Sequence, residues 1–369
     1  MRSPHTTPHA SPHISPHISA RLPRRAAVAA GALLLVSVPA SALATAGAAQ
    51  AAAQAAAPGT YSLLVFPDQD RTGVYDLIAS AKKSVDVTMY ELRDSRAVDA
   101  LVQRQQAGVK VRVILDAKHT KVNDAAYNKL KDAGAGVTWS SSDFVYTHQK
   151  SVTVDAAKSL VMTGNLDEKY YANDRDFGVV DTDPADVAAV EQVFEADYAK
   201  TSVTPSDGTS LVWSPTDSEE RLLALINGAK RSLDLEQLEF GDSTLVDAVV
   251  AAQNRGVDVR VVGMNPGKYA KKFDQVKAAG GKVVTYSSTE GLYIHAKAIV
   301  ADYGTDGAKV FAGSENFSNN SLNNNRELGL IVGDSGVLKG IESTFTSDFA
   351  GGTPYESESS EDDASARAA

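Results

Sequence analysis

None of the 369 residues is cysteine. That absence removes disulfides, thiolate nucleophiles, Cys-ligated zinc and iron–sulfur clusters. Histidine is scarce too. Of seven, His5, His9, His13 and His17 lie in a Pro/Ser-rich leader, leaving only His119, His148 and His295. Three are too few for a histidine-rich metal site, so no metal and no cofactor is expected. Acidic residues are missing from the first 57 positions, which carry Arg2, Arg21, Arg24 and Arg25. Taking away those four positive charges moves the formal net charge from −10 to −14. An acidic body disfavours non-specific binding to nucleic acid, which depends on Lys and Arg neutralising phosphates. Long apolar runs are also lacking. The longest, Ala26–Val38, falls short of the roughly 20 residues a membrane span needs.

That run reads as an export signal. Arg21, Arg24 and Arg25 precede it, Pro39 ends it, and Ala42-Leu43-Ala44 supplies the small-x-small pattern of a signal-peptidase site. Residues 1–44 are therefore expected to be a signal peptide, and the protein to be secreted, by either the general or the twin-arginine route. Residues 45–59 are an Ala/Gln-rich lead-in. Residues 351–369 form an acidic, Ser-rich stretch expected to be a solvated tail. Between them the composition is that of a globular protein.

The body repeats itself. Ala81-Lys-Lys-Ser-Val-Asp86 is matched by Ala229-Lys-Arg-Ser-Leu-Asp234, and Gly108-Val-Lys-Val-Arg-Val113 by Gly256-Val-Asp-Val-Arg-Val261, both at an offset of 148. Phe194-x-x-Asp197-Tyr198 answers Phe345-x-x-Asp348-Phe349 at 151. A period this long marks a duplicated domain, not a solenoid. The halves are set at residues 60–202 and 203–350. Each alternates strand and helix. In the first, Ser84–Tyr90 and Val109–Leu115 have strand periodicity, and Ser95–Ala107 and roughly Asp124–Ala133 are helical. In the second, strands fall at Ser232–Phe240 and Val257–Gly263, and helices at Thr244–Asn254 and Tyr269–Ala279. The fold class is α/β: two domains related by pseudo-twofold symmetry, each a central mixed sheet with helices on both faces.

Two of the three remaining histidines are repeat-equivalent. Tyr146-Thr-His148-Gln-Lys150-Ser-Val-Thr-Val-Asp155 pairs with Tyr293-Ile-His295-Ala-Lys297-Ala-Ile-Val-Ala-Asp302, and both read H-x-K-x4-D. On a strand, His and Lys two apart share a face, placing an imidazole beside an ammonium. That pairing suits an anionic substrate. Asp155 and Asp302 sit seven residues past their histidines, an odd offset that points them to the opposite face and toward a structural role. Downstream come Thr163-Gly164-Asn165 and Ser314-Glu315-Asn316, with amides and hydroxyls able to meet phosphoryl oxygens. Ten residues past each Asn come Arg175-Asp176 and Arg326-Glu327, carboxylates able to fix an imidazole tautomer.

Paired H-x-K-x4-D motifs, each followed by a G-S-x-N-like segment on a duplicated α/β body, resemble the phospholipase D superfamily from Ser62 to Phe349. The resemblance implies one site between the halves and a metal-independent, two-step phosphodiester exchange through a phosphohistidine. It makes His148 the nucleophile and His295 the acid, then the base. Lys150, Lys297, Asn165 and Asn316 would hold the phosphoryl oxygens, assisted by Thr163 and Ser314. Asp176 and Glu327 would orient the histidines. Asp155 and Asp302 complete the motifs and are counted with the catalytic set. With both motifs in one chain, a monomer is expected.

Other residues carry less. His119 reads better as an exposed loop histidine than as a cleft residue. Glu91 and Glu239 either face the cleft or serve as caps. Trp139, Trp213 and the tyrosines read as core. The substrate expected is phospholipid at a membrane or vesicle surface, cleaved or exchanged at its head-group phosphodiester. The alternative is a secreted metal-independent nuclease.

Overall fold

The computed structural model describes residues 60–287 and 291–357. The expected signal peptide, the lead-in and the tail from residue 358 onward lie outside the described residues. The first half runs β1 (Tyr61–Phe66), α1 (Thr72–Ala79), β2 (Ser84–Met89), α2 (Ser95–Gln106), β3 (Lys110–Leu115), α3 (Thr120–Asp132), β4 (Gly136–Trp139), β5 (Lys150–Val154), β6 (Lys158–Met162), β7 (Asp174–Asp181) and α4 (Pro184–Ala199). The second runs β8 (Leu211–Ser214), α5 (Ser218–Gly228), β9 (Ser232–Gln237), α6 (Ser243–Asn254), β10 (Asp258–Met264), α7 (Pro266–Ala278), β11 (Lys282–Tyr286), β12 (Tyr293–Ile294), β13 (Lys297–Ala301), β14 (Lys309–Gly313), α8 (Asn319–Asn323), β15 (Glu327–Val332), α9 (Ser335–Gly351) and β16 (Thr353–Pro354).

The duplication is visible in the strand orders. One sheet is β1-β7-β6-β5-β2-β3-β4 and the other β16-β11-β10-β9-β13-β14-β15-β8. Read from β1 and from β8, the two follow the same path. Both are mixed: β2–β3–β4 and β9–β10–β11 pair in parallel, the hairpin strands antiparallel.

Local sequence explains the helices. Asp94 and Asp242 are N-caps, their carboxylates accepting the N–H of Ala97 and Leu245. After α2 and α6 the chain turns at Gly108 (φ +85°) and Gly256 (φ +92°), a conformation other residues rarely adopt. Helix α7 begins three residues earlier than its periodicity indicates, because Pro266 takes the first turn, where its missing N–H costs nothing.

Helices cover only one face of each sheet in the expected way. Val74, Ile78, Val98 and Leu101 pack from α1 and α2 onto Val85, Val87 and Met89. Leu222, Val249 and Phe273 pack from α5–α7 onto Leu233, Leu235 and Val261. The other faces share a core in which Val161, Phe177 and Val179 meet Ala298, Ala312, Leu328 and Leu330, with α4 and α9 contributing. Both faces of the central strands are thus buried, and β2 has no exposed residue. Each fully buried Val, Leu or Phe contributes roughly 1.5–3 kcal/mol, so this layer binds the halves into one body.

The C-terminal boundary differs from expectation. Thr353 and Pro354 pair with β11, and the ring of Tyr355 is buried 5.4 Å from that of Phe273. The residues before Ser357 therefore belong to the fold. Among the described residues no helix is long and apolar enough to cross a membrane.

Candidate active site

The segment before each motif strand crosses to the opposite half. Thr147 bridges to Arg326 beside β15, and the N–H of His148 donates to the Arg326 carbonyl at 2.9 Å. In mirror fashion β12 pairs in parallel with Asp174 and Arg175 of β7, and the N–H of His295 donates to the Arg175 carbonyl at 3.2 Å. Buried ion pairs lock both crossings: Arg326 Nε to Asp197 Oδ2 at 2.9 Å and Arg175 Nε to Asp348 Oδ2 at 2.5 Å. The repeated F-x-x-D sequences supply the two aspartates.

Each histidine consequently meets the other half's carboxylate. His148 Nδ1 lies 2.6 Å from Glu327 Oε2, and His295 Nδ1 lies 3.0 Å from Asp176 Oδ1. A carboxylate only accepts, so each Nδ1 carries the hydrogen and each Nε2 is left free. Both imidazoles line one cavity of about 460 Å³. Burial resists ionisation of both carboxylates, but the histidine and lysine beside each outweigh it. Asp176 is held at about 2 and Glu327 below its ordinary value.

Burial pushes both histidines below their ordinary value. Glu327 partly offsets this for His148, while Lys297 adds to it at His295, which falls to about 4. Burial also brings Lys150 down to about 7 and lowers Lys297. The cleft therefore disfavours positive charge on both imidazoles and on both lysines. An anionic diester would reverse both tendencies by compensating the lysine charge. The lysines are aimed by the backbone. Lys150 Nζ donates to the His148 carbonyl, and Lys297 Nζ to those of His295 (2.5 Å) and Thr163 (3.3 Å).

Asn165 and Asn316 each have a buried Oδ1 without a protein partner. Asn165 lines the cavity shared by the histidines, and Asn316 a neighbouring one of about 540 Å³ that His148 also lines. Thr163 and Ser314 are a correction to the sequence expectation. Both are fully buried, and their hydroxyls serve the framework. Thr163 Oγ1 donates to Asp176 and accepts from Phe177 N–H; Ser314 Oγ donates to the Leu328 carbonyl and accepts from Leu328 N–H. Neither is free to grip a phosphoryl oxygen. Gly164 is needed for close approach, since a Cβ there would fall 2.1 Å from Asp176 Oδ2. Its counterpart Glu315 is buried with both oxygens unpartnered, and burial followed by the charge of Glu327 pushes its carboxyl well above the ordinary carboxylate range.

Asp155 and Asp302 do not reach the cleft, and their catalytic assignment is corrected. Asp155 accepts the backbone N–H groups of Lys82, Lys83 and Ser84, and Asp302 those of Lys230, Arg231 and Ser232. They staple the start of β2 and β9 to the hairpin that follows each motif strand.

Several cleft residues were not legible in the sequence. Tyr90 lines both cavities, and its ring meets that of His148 edge-on at 4.6 Å. Tyr170, Tyr171 and Tyr293 line the first cavity, and Tyr146 and Tyr269 the second, so the tyrosines are not all core. His119 is half-buried against Tyr90, not an exposed loop residue. Glu91 and Glu239 line the two cavities, the first of the two roles the sequence left open for them, while capping falls to Asp94 and Asp242. Asp174, Asp176 and His295 lie close enough to hold a metal ion. Asp176 and His295 are already engaged with each other, and burial together with Asp176 raises Asp174 to about 7. The donor set therefore fits a hydrogen-bonded pair better than a cation site.

Two segments, residues 74–198 and 222–349, match the family model described as cardiolipin synthase, phospholipase D-like domain. The chain belongs to the phospholipase D superfamily. It is a phosphodiester-acting enzyme of phospholipase D type. Cardiolipin synthase A of Pseudomonas syringae is 26% identical over 333 residues, covering 78% of this chain and 68% of that one. The phosphatidylserine synthase of Haemophilus influenzae superposes with a TM-score of 0.64 at 13% identity, covering 80% of this chain and 87% of that one. The polyphosphate kinase of Porphyromonas gingivalis gives 0.62 at 16% identity over 78% of this chain, which spans half of that protein's length. At such identities these structures establish the fold alone.

Proposed function

We propose that the protein is an exported, single-chain phospholipase D-type enzyme that cleaves the head-group phosphodiester of phospholipids and passes the phosphatidyl group to water or an alcohol. The observation that carries this reading is the pair of imidazoles facing one cleft, each pinned through Nδ1 by the opposite half's carboxylate. Its likeness to cardiolipin synthases supports a lipid substrate, and the basic, apolar N-terminal segment supports export.

In this mechanism His148 Nε2 attacks phosphorus, forming an N–P bond as the head-group oxygen leaves. His295 gives that oxygen its proton. Lys150, Lys297 and the amides of Asn165 and Asn316 take up charge on the non-bridging oxygens. Water or an alcohol then loses its proton to His295 and breaks the N–P bond. Burial, with Lys297 adding to it, disfavours the imidazolium of His295, and the diester's own charge readies the acid by offsetting the lysine charge. Parallel assays on phosphatidylcholine and phosphatidylglycerol vesicles and on single- and double-stranded DNA, all with EDTA, test the reading. Head-group release with intact DNA is expected. Rapid DNA cleavage with untouched lipid would transfer the assignment to the nucleases.

A further inference from the structure

Asp116, His119 and Tyr90 form a hydrogen-bonded chain in the N-terminal half that ends against His148. Asp116 follows β3 and is buried. Its Oδ1 accepts the N–H groups of Lys118 and His119 at 2.8 and 3.1 Å and lies 3.2 Å from His119 Nδ1. Its Oδ2 accepts the N–H of Thr147, the residue before His148, at 2.7 Å. With the hydrogen on Nδ1 directed at Asp116, His119 Nε2 is an acceptor, and the Tyr90 hydroxyl donates to it across 3.1 Å. The Tyr90 ring then stands 4.6 Å from the His148 ring and 5.0 Å from the Lys150 ammonium. Tyr146 closes the cluster, 5.9 Å from Tyr90 and 5.8 Å from His119.

The duplication provides an internal control. At the offset of 148, Tyr90, Asp116 and His119 correspond to Leu238, Met264 and Gly267, none of which can form such a chain through its side chain. Among the described residues, the aromatic ring beside His295 is that of Tyr293, at 6.3 Å. Each histidine has its own carboxylate partner, and the two differ in this further support.

We propose that Asp116, His119 and Tyr90 form a positioning array for His148, fixing the imidazole of the N-terminal half for in-line attack while His295 goes without. Asp116 fixes both ends, holding the backbone before His148 with one oxygen and the tautomer of His119 with the other. His119 fixes the rotation of Tyr90, and the Tyr90 ring closes one side of the His148 imidazole. Misplacing a reacting atom by about 1 Å can cost about 100-fold in rate, so a modest loosening is measurable. The inference rests on the two-histidine reading of the site, not on the identity of the lipid.

The test uses the full chain, a soluble aryl phosphodiester, and the variants Tyr90→Phe, His119→Ala, His119→Gln and the Tyr90→Phe/His119→Ala pair. Tyr90→Phe and His119→Ala are each expected to lower kcat about tenfold with KM changed less than about twofold. The double variant should be no slower than the slower single variant, because both break one chain. His119→Gln, whose amide oxygen can accept from Tyr90, should recover most of the loss. Multiplying effects in the double variant, a loss confined to KM, or wild-type turnover in Tyr90→Phe would each overturn the proposal. Ring resonances of 15N-labelled histidine give a readout independent of turnover. Tyr90→Phe should shift or broaden those of His148 and leave those of His295 in place; equal changes at both, or none at either, would overturn it. Vesicle cleavage is not involved, so failure of the lipid assignment would leave these outcomes readable.

Discussion

Glu327 of the C-terminal half lies 2.6 Å from Nδ1 of His148 in the N-terminal half, and Asp176 makes the reciprocal contact to His295 at 3.0 Å. Neither histidine takes its carboxylate partner from its own half. Glu327 is itself held by Ser321 Oγ at 2.7 Å and Asn325 Nδ2 at 3.0 Å, and Asp176 by Thr163 Oγ1 at 2.6 Å. A single site therefore needs both halves even before substrate arrives.

The first prediction follows from that exchange. Glu327→Gln and Asp176→Asn keep nearly the same shape but lose the charge that selects the Nδ1–H tautomer and stabilises an imidazolium. Each should lower kcat by about 10²–10⁴-fold, the range expected when a histidine's carboxylate partner becomes an amide. Steady-state kinetics on a soluble diester, with melting temperature as the control for folding, check it. Near-normal turnover in either variant would mean that this carboxylate does not orient a reacting histidine.

How much of this was legible in sequence depends on the range of the interaction. The H-x-K pairs and the strand alternation act over a few residues, and the sequence shows them directly; the capping role weighed for Glu91 and Glu239 falls instead to Asp94 and Asp242. The odd offset of Asp155 and Asp302 pointed away from the cleft, although the motif itself had placed them in the catalytic set. The exchange of Asp176 and Glu327 between halves was hidden, because it depends on where the segments before β5 and β13 dock. Thr163 and Ser314 looked like free hydroxyls since nothing local reveals that Phe177 and Leu328 return to bond them. Tyr90 lies far from His148 in the chain and meets it, with His119 behind, only because β2, β3 and β5 are neighbours in one sheet. Tyr355 was assigned to a tail by composition, but its ring fits against Phe273.

A second prediction separates stapling from catalysis. Asp155 and Asp302 both sit at positive φ, +56° and +57°, which Asn tolerates better than Ala. Asp302→Asn should therefore keep the turn but lose the charge-assisted bonds. The cost is about 1–2 kcal/mol, taking account of the partial exposure of the carboxylate. Asp302→Ala should cost more. Backbone N–H groups outweigh burial and hold this carboxylate below its ordinary value, so its contribution is complete above about pH 4 and fades as pH falls through the lowered value. Thermal melts from pH 3 to 7 should show a gap between wild type and variant that narrows toward acid. In either variant, kcat should stay within a few-fold of wild type; a collapse of turnover in a folded Asp302→Asn protein would restore the aspartate to the catalytic set.

A third prediction concerns the pH profile of kcat/KM, which reports the free enzyme. The nucleophile His148 must be neutral, and burial holds it below its ordinary value. The acid limb should therefore fall below the ordinary histidine value near 6.5. Lys150 must be charged to receive the diester and loses its proton at about 7. Activity toward a soluble diester should thus persist to a pH below about 6.5 on the acid side and decline through about 7 on the alkaline side. The two limbs belong to the coupled cluster, not to single residues. Replacing Lys150 with Arg, which stays charged at every accessible pH, should flatten the alkaline limb even if it lowers the maximum. An optimum above pH 8 in the wild type would contradict this electrostatic account.

The fourth prediction tests the covalent step. If His148 holds the phosphatidyl group after the head group leaves, water and a small primary alcohol compete for the same phosphorus, and His295 serves as base for either. Adding ethanol or glycerol should divert product from phosphatidic acid to the phosphatidyl-alcohol in proportion to alcohol concentration. Total head-group release should change much less wherever formation of the intermediate limits the rate. The cleft has room for an acceptor: the second cavity, about 540 Å³, adjoins His148 and is lined by Asn316, Ser318, Asn319 and Asn320, whose amides and hydroxyl suit a polyol. Glycerol should therefore be captured more efficiently per mole than ethanol, and Asn320→Leu should narrow that difference without abolishing hydrolysis. Direct attack by water leaves no enzyme-bound phosphoryl group to partition. Clear hydrolysis without any alcohol adduct at high alcohol concentration would thus count against an intermediate open to alcohols.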